Sequence, residues 1–205
     1  MTCPRLSDLS DHLKQSVQGY CFWVPLTLLA VASVPIVYYQ RKVVEISGGF
    51  TILDLRNRYA EGKLPWDLDA ATELIEKLGG VNSNGVEVYK KYYLLGDLHI
   101  FPMAYAFAAI WVLIYLDADG SSTWLRSVYT LPLLMASLDI IENMCILVIL
   151  YSYPHRTVAD TIGPVVTSTK WGSRLFLGAV FVFVLIMRLS RALSRPAFSK
   201  HDHAD

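Results

Sequence analysis

Four stretches of about twenty mainly apolar residues dominate this sequence, and each is long enough to cross the hydrocarbon core of a bilayer as an α-helix. The first covers residues 20–39, and the others run from about Leu94 to Leu116, from about Val128 to Tyr151 and from about Trp171 to Ser190. The first is too long, and too poorly flanked by a small-residue cleavage site, for a removed signal peptide. The pattern predicts an all-α integral membrane protein with four transmembrane helices in a bundle, and residues 1–205 form a single membrane domain.

Composition supports a location in the bilayer and excludes a nucleic-acid partner. Hydrophobic residues make up 54% of the chain and charged residues 18%, whereas soluble domains have about 45–50% apolar and about 25% charged residues. The net charge is zero at pH 7, so no basic excess is available to bind nucleic acid. Cys3, Cys21 and Cys145 form no CxxC pair and are interpreted as small hydrophobic residues. The protein is expected to be a multi-pass membrane protein in the lipid bilayer, with no signal that identifies which membrane.

The long connection, residues 40–93, is predicted to be an extramembrane loop that contains short amphipathic helices. Within residues 67–80, apolar side chains recur at helical spacing, and two glycines follow as a stop signal. A second short helix is predicted within residues 50–65, before Pro65. Residues 191–205 are predicted to form a flexible, solvated tail. The apolar positions of the first amphipathic helix are Leu68, Ala71, Leu74, Ile75 and Leu78, and the glycines are Gly79 and Gly80.

Positive charges near the spans do not set the orientation. With four spans, both termini and residues 117–127 share one face of the membrane, here named side A, and the long loop and a predicted loop over residues 152–170 share the other, side B. Short cytoplasmic loops carry an excess of Lys and Arg, but seven such residues flank the spans on each side. They are Arg5, Lys14, Arg126, Arg188, Arg191, Arg195 and Lys200 on side A, and Arg41, Lys42, Lys90, Lys91, Arg156, Lys170 and Arg174 on side B.

The third span carries polar residues where lipid is expected. Asp139, Glu142 and Asn143 are spaced so that they share one helix face. A charge at bilayer depth costs roughly 2.5–3.5 kcal/mol on insertion scales and by default marks a functional site. Glu142 precedes the side B end of the span at Tyr151 by nine residues, or roughly 13 Å of helix.

Other polar residues fall at a similar depth on side B. Asp97 and His99 lie near the start of the second span, Arg174 near the start of the fourth, and His155 in the loop between the third and fourth. Helical bundles build metal, ligand and proton sites from side chains on facing helices. The sequence therefore predicts a polar pocket in the side B half of the membrane, made by Asp97, His99, Asp139, Glu142, Asn143 and Arg174.

Several roles for this pocket are compatible with its residues. It could bind a proton, a cation or a polar lipid headgroup, and His99 and His155 are weak candidate metal ligands, although no cofactor motif is present. Alternatively, the carboxylates pair with Arg174 or Lys170 as an interhelical lock in a non-catalytic subunit of a larger membrane complex. A membrane-embedded lipid-modifying enzyme, with Asp97 or Glu142 as base, is a third reading. No GxSxG motif accompanies these residues, which favours a non-enzymatic role.

Overall fold

The computed structural model describes residues 23–49, 66–80, 82–116 and 128–194, and every regular element in these ranges is a helix. Four stretches are long and apolar enough to cross a membrane, namely Trp23–Ile46, Asn84–Leu116, Leu131–Ser152 and Ala159–Met187. This confirms an all-helical chain with four candidate membrane spans. The helices are α1 (Trp23–Ile46), α2 (Leu68–Lys77), α3 (Asn84–Tyr92), a π-helical segment (Tyr93–Asp97), α4 (Ile100–Leu116), α5 (Leu131–Ser152) and α6 (Ala159–Ser194).

The last helix differs from the prediction because it begins at Ala159, twelve residues before Trp171. The predicted loop over residues 152–170 is therefore reduced to residues 153–158. Serine and threonine residues near the start of α6 make its sequence resemble that of a loop. In the structure, their hydroxyls donate hydrogen bonds to backbone carbonyls of the same helix. Ser168 Oγ donates to the Pro164 carbonyl at 3.0 Å and Thr169 Oγ1 to the Val165 carbonyl at 2.9 Å. Such bonds satisfy the hydroxyl without leaving the helix.

A capping interaction fixes where α6 begins. The Asp160 carboxylate accepts a 2.7 Å hydrogen bond from the backbone N–H of Thr157. This is the second half of a capping box, in which an acidic side chain in the first turn reaches back to the residue three positions earlier. The sequence Thr157-Val-Ala-Asp160 is the local signal for this helix start.

In the long connection, α2 is present where the apolar spacing predicts a helix. The Asp67 side chain caps its first turn by accepting from the Ala70 N–H at 2.9 Å. The helix ends in a Schellman motif, since the N–H of Gly79 bonds to the Glu76 carbonyl and that of Gly80 to the Ile75 carbonyl. Both glycines have positive φ, 96° and 86°. The second predicted helix, within residues 50–65, and residues 195–205 of the predicted tail lie outside the described residues, whereas residues 191–194 are helical.

Two apolar clusters form the interior. The cluster on side B joins α2 and α3 to α1 and α5, and the cluster on side A joins α4, α5 and α6. On α5, Met135 belongs to the side A cluster and Ile146 to the side B cluster, so the residues between them form a separate layer. Helix α4 packs on both α1 and α5, and α5 packs on α6. The outward faces of α1 and α6 are apolar and exposed, as is expected of surfaces in contact with lipid.

Candidate functional site

The layer between the two apolar clusters centres on Lys170, whose ammonium contacts two carboxylates of α5. Lys170 Nζ donates to Asp139 Oδ1 at 2.7 Å and also to Glu142 Oε2. The three side chains are at most 1% exposed. Lys170 follows the start of α6 by eleven residues, or roughly 16 Å of helix, so the ion pairs lie near the middle of the candidate span Ala159–Met187. Since burying a lone charge is costly, this mutual pairing is what makes the three charges tolerable there.

Arg174 extends the network by one helical turn. It lies four residues after Lys170, on the same face of α6, and its Nη2 donates to Asp139 Oδ2 at 3.3 Å. The guanidinium lies 5.2 Å from the ring centre of Trp171 and 5.9 Å from that of Tyr105, within reach of cation–π attraction. Its side chain is 28% exposed. We name Asp139, Glu142, Lys170 and Arg174 the polar centre; with all four groups ionised, their charges sum to zero.

On side B of the polar centre, Thr167 connects Glu142 to a tryptophan from the connection between α1 and α2. Thr167 Oγ1 contacts Glu142 Oε1, lies 3.0 Å from the Gly163 carbonyl oxygen, and accepts a 2.9 Å hydrogen bond from Trp66 Nε1. A hydroxyl has one hydrogen, so it can donate to Glu142 or to Gly163 but not fully to both. Trp66 is fully buried and therefore covers this end of the polar centre.

The Trp66 ring requires a glycine beneath it. A Cβ at Gly163 would lie 2.5 Å from Trp66 Cη2, 2.7 Å from its Cζ2 and 3.2 Å from Cys145 Cβ. The first two distances are shorter than any relaxed carbon contact. Gly163 is thus the position on α6 that admits the indole to the α5–α6 interface.

Asn143 forms a neighbouring contact between α5 and the start of α4. Its Nδ2 donates to the backbone carbonyl of Asp97 at 2.6 Å, and the Tyr92 hydroxyl donates to Asp97 Oδ2 at 3.4 Å. Asp97 ends the π-helical segment, and π turns of this kind disrupt the regular pattern of backbone hydrogen bonds, often at functional sites. An amide side chain can then satisfy a backbone carbonyl in the membrane interior.

Two buried polar atoms near this layer have no hydrogen-bond partner among the described residues, Asn143 Oδ1 and the Tyr105 hydroxyl. The Asp139 and Arg174 side chains lie close to the Tyr105 hydroxyl but outside hydrogen-bond geometry, so the hydroxyl lies at the Arg174 end of the polar centre. An unpaired buried polar group typically costs about 1–3 kcal/mol. Such a group in a native protein often marks the position of a water or a ligand.

The structure brings together most of the predicted pocket residues, but not the histidines. Asp139, Glu142 and Asn143 are fully buried on the inner side of α5, Arg174 contacts Asp139, and Asp97 approaches α5 through its backbone carbonyl. His99 and His155 are exposed. Among the residues that the structure describes, no group of three or more His, Cys, Asp or Glu side chains could hold a metal ion.

Three residues of the network were not among the predicted pocket residues: Lys170, Thr167 and Trp66. When α6 is predicted to start too late, Lys170 is placed at the membrane boundary, from which it reaches the carboxylates only if its long side chain points inward. Thr167, Lys170 and Arg174 are spaced by three and four residues, the spacing of one helix face. That spacing identifies the first two once residues 159–170 are recognised as helix. No local signal in the sequence connects Trp66 to this face.

Comparisons of this chain with protein-family models, with curated proteins and with solved structures find no match.

Proposed function

We propose that this integral multi-pass membrane protein binds the polar group of a membrane-dissolved lipid at its polar centre. One observation carries the proposal: three of the four charged side chains are at most 1% exposed, whereas Arg174 is 28% exposed. The polar centre thus reaches the protein surface at Arg174. Because this happens within a membrane span, the molecules that meet Arg174 there are lipids.

A lipid group is favoured over a metal cation by the position of Lys170. Its ammonium already contacts one oxygen of each carboxylate, so a cation would have to displace it from between them. Protonation of either carboxyl group would likewise break an ion pair with Lys170. A group that approaches Arg174 from the lipid displaces neither partner.

A second candidate function is purely structural, and the charge balance of the polar centre favours it. Two carboxylates and two cations that satisfy one another lock α5 to α6 without any ligand. In this reading the protein is a non-catalytic subunit of a membrane complex, and the exposed apolar faces of α1 and α6 contact partner helices as well as lipid.

The two functions are separated by the response of the purified protein to short-chain lipids. The measurement is the Tm of the full-length protein in detergent, with added dioctanoylglycerol, dioctanoylphosphatidylcholine or dioctanoylphosphatidic acid. A ligand that binds the folded but not the unfolded state raises Tm, because it adds RT ln(1 + [L]/Kd) to the free energy of unfolding. We expect at least one of these lipids to raise the Tm of the wild-type protein and to have a much smaller effect on Arg174→Met.

The matched control is Arg156→Met, which removes an exposed arginine from the loop before α6 and should leave the lipid response intact. A response that is absent for all three lipids, or that persists in Arg174→Met, would contradict lipid binding at the polar centre and favour the structural role.

A further inference from the structure

The Arg174 end of the polar centre presents hydrogen-bond donors in excess of acceptors. Among the described residues, the guanidinium makes one hydrogen bond, to Asp139, although arginine has five N–H donors. The Tyr105 hydroxyl beside it makes no hydrogen bond of good geometry among the described residues, although the Asp139 and Arg174 side chains lie close to it. Two donor groups, one from α4 and one from α6, therefore face a position where a bound oxygen could accept from both.

The charge of the site limits what that oxygen can belong to. The two carboxylates are already balanced by Lys170 and Arg174, so an anion would leave a net negative charge in the membrane, where uncompensated charge is costly. Asp97, whose backbone carbonyl is bonded to Asn143, adds a further carboxyl group to the surroundings and makes an anion less favourable still. An uncharged acceptor preserves the balance.

The site opens toward lipid and not toward water. Gly178 lies one helical turn after Arg174 on the same face of α6; it is exposed, and a Cβ there would meet nothing within 4 Å. On side B, the polar centre is covered by Trp66, which is fully buried against Gly163. Access from the hydrocarbon side selects a ligand that is itself dissolved in the bilayer.

We infer that the ligand at this end is an uncharged lipid, whose hydroxyl or ester carbonyl oxygen accepts hydrogen bonds from the Tyr105 hydroxyl and from Arg174. This inference rests on the proposed lipid-binding function and specifies its ligand class. The Trp171 and Tyr105 rings flank the guanidinium, and the apolar carbons of the bound lipid can pack against these rings.

The test compares two lipids with identical chains, dioctanoylglycerol and dioctanoylphosphatidic acid, by titrating the Tm of full-length protein in detergent. We expect the uncharged lipid to bind more tightly. Tyr105→Phe removes only the hydroxyl. We expect it to raise the Kd for dioctanoylglycerol about tenfold, which corresponds to about 1.4 kcal/mol of binding free energy. Because the hydroxyl makes no hydrogen bond of good geometry in the unliganded protein, Tyr105→Phe should change the Tm without lipid much less than Arg174→Met does.

Tyr115→Phe is the matched control, since Tyr115 lies on the same helix and is 58% exposed; it should bind dioctanoylglycerol as the wild type does. Two outcomes would contradict an uncharged lipid as the ligand: tighter binding of phosphatidic acid that depends on Arg174, or an unchanged affinity for dioctanoylglycerol in Tyr105→Phe. Neither outcome would contradict lipid binding as such. If neither lipid, nor dioctanoylphosphatidylcholine, gives a response that depends on Arg174, the proposed function itself fails.

Discussion

The indole N–H of Trp66 donates a 2.9 Å hydrogen bond to the hydroxyl of Thr167, a residue 101 positions further along the chain. Thr167 in turn contacts Glu142, so one tryptophan connects the long loop of side B to the buried charges. The bond places the segment that precedes α2 in direct contact with the α5–α6 interface. Stability of the loop and stability of the polar centre are therefore expected to be coupled.

Gly163→Ala tests how closely Trp66 packs on α6. The added methyl group would lie 2.5 Å from the indole, and overpacking of this kind typically costs about 1–3 kcal/mol. We expect a lower Tm and a smaller free energy of unfolding in detergent. Gly178→Ala is the matched control, because a Cβ there meets nothing within 4 Å and alanine is the better helix former.

A second variant identifies the indole as the source of the strain. Trp66→Phe shortens the ring that Gly163 faces, so Gly163→Ala should cost less in that background than in the wild type, a non-additivity of about 0.5 kcal/mol or more. Strictly additive effects, or equal losses for the two glycine variants, would contradict this packing.

Lys170→Met should be the most damaging single change in the polar centre. It removes the ammonium that contacts both Asp139 and Glu142, and an uncompensated buried charge typically costs about 3–5 kcal/mol. Arg174→Met should cost less, because that side chain is partly exposed and makes one longer contact at 3.3 Å. The comparison is made on Tm and on unfolding free energy in detergent.

Removal of one carboxylate should partly repair Lys170→Met. In the Lys170→Met background, Asp139 keeps its contact with Arg174, and Glu142→Gln eliminates the carboxylate that is left without a charged partner, so the double variant is expected to be more stable than Lys170→Met alone. If Glu142→Gln lowers stability as much in that background as in the wild-type chain, the ion pair between Lys170 and Glu142 does not contribute to the free energy of unfolding as proposed.

Asn143 offers a test of the contact between α5 and the π-helical segment. Its Nδ2 donates to the Asp97 carbonyl at 2.6 Å. Asn143→Asp keeps the shape but replaces the donor by an oxygen that faces another oxygen, so we expect it to lower Tm more than Asn143→Ala, which loses one hydrogen bond worth about 1 kcal/mol. The reverse order would show that the amide does not donate to Asp97.

The topology can be tested by labelling from one face of the membrane. Four spans place both termini on side A, so single cysteines at Ser7 and Ser199, in a chain with Cys3, Cys21 and Cys145 replaced, should be labelled together. Lys170 and Arg174 lie inside the candidate span Ala159–Met187, whereas Arg188 and Arg191 follow its end. Removing Lys170 and Arg174 from the seven side B charges leaves five, against seven on side A. The excess predicts cytoplasmic termini, and protection of either site from a cytoplasmic reagent would refute it.

The spans and the polar face of α5 could be predicted from the sequence because both depend on local patterns. Twenty apolar residues require a spanning helix, and positions 139, 142 and 143 share a face wherever that helix is placed. The start of α6 could not be predicted from hydropathy, because Thr167, Ser168 and Thr169 lower the apolar content while their hydroxyls bond within the helix. The late start places Lys170 at the membrane boundary, so the sequence predicts it as a possible partner of the carboxylates but not as a pocket residue.

The position of Trp66 depends on tertiary packing, and no local pattern contains it. Its burial requires the absence of a side chain at Gly163 and the hydroxyl of Thr167, both of which lie about a hundred positions away in sequence. The same limit applies to Tyr105, because the depth of a residue follows from its position in a span whereas its direction around the helix axis does not.

The distribution of charge between α5 and α6 has a consequence for how the chain enters the membrane. Asp139 and Glu142 both belong to α5, and Lys170 and Arg174 both belong to α6, so neither helix is neutral at its centre. Inserted alone, each helix would carry charged residues that cost about 2.5–3.5 kcal/mol apiece at the centre of the bilayer. Only residues 153–158 separate the two helices, which lets them leave the translocon as one hairpin. Synthesis of α5 thus produces a segment that is poorly suited to lipid until α6 has emerged and supplied its counter-charges.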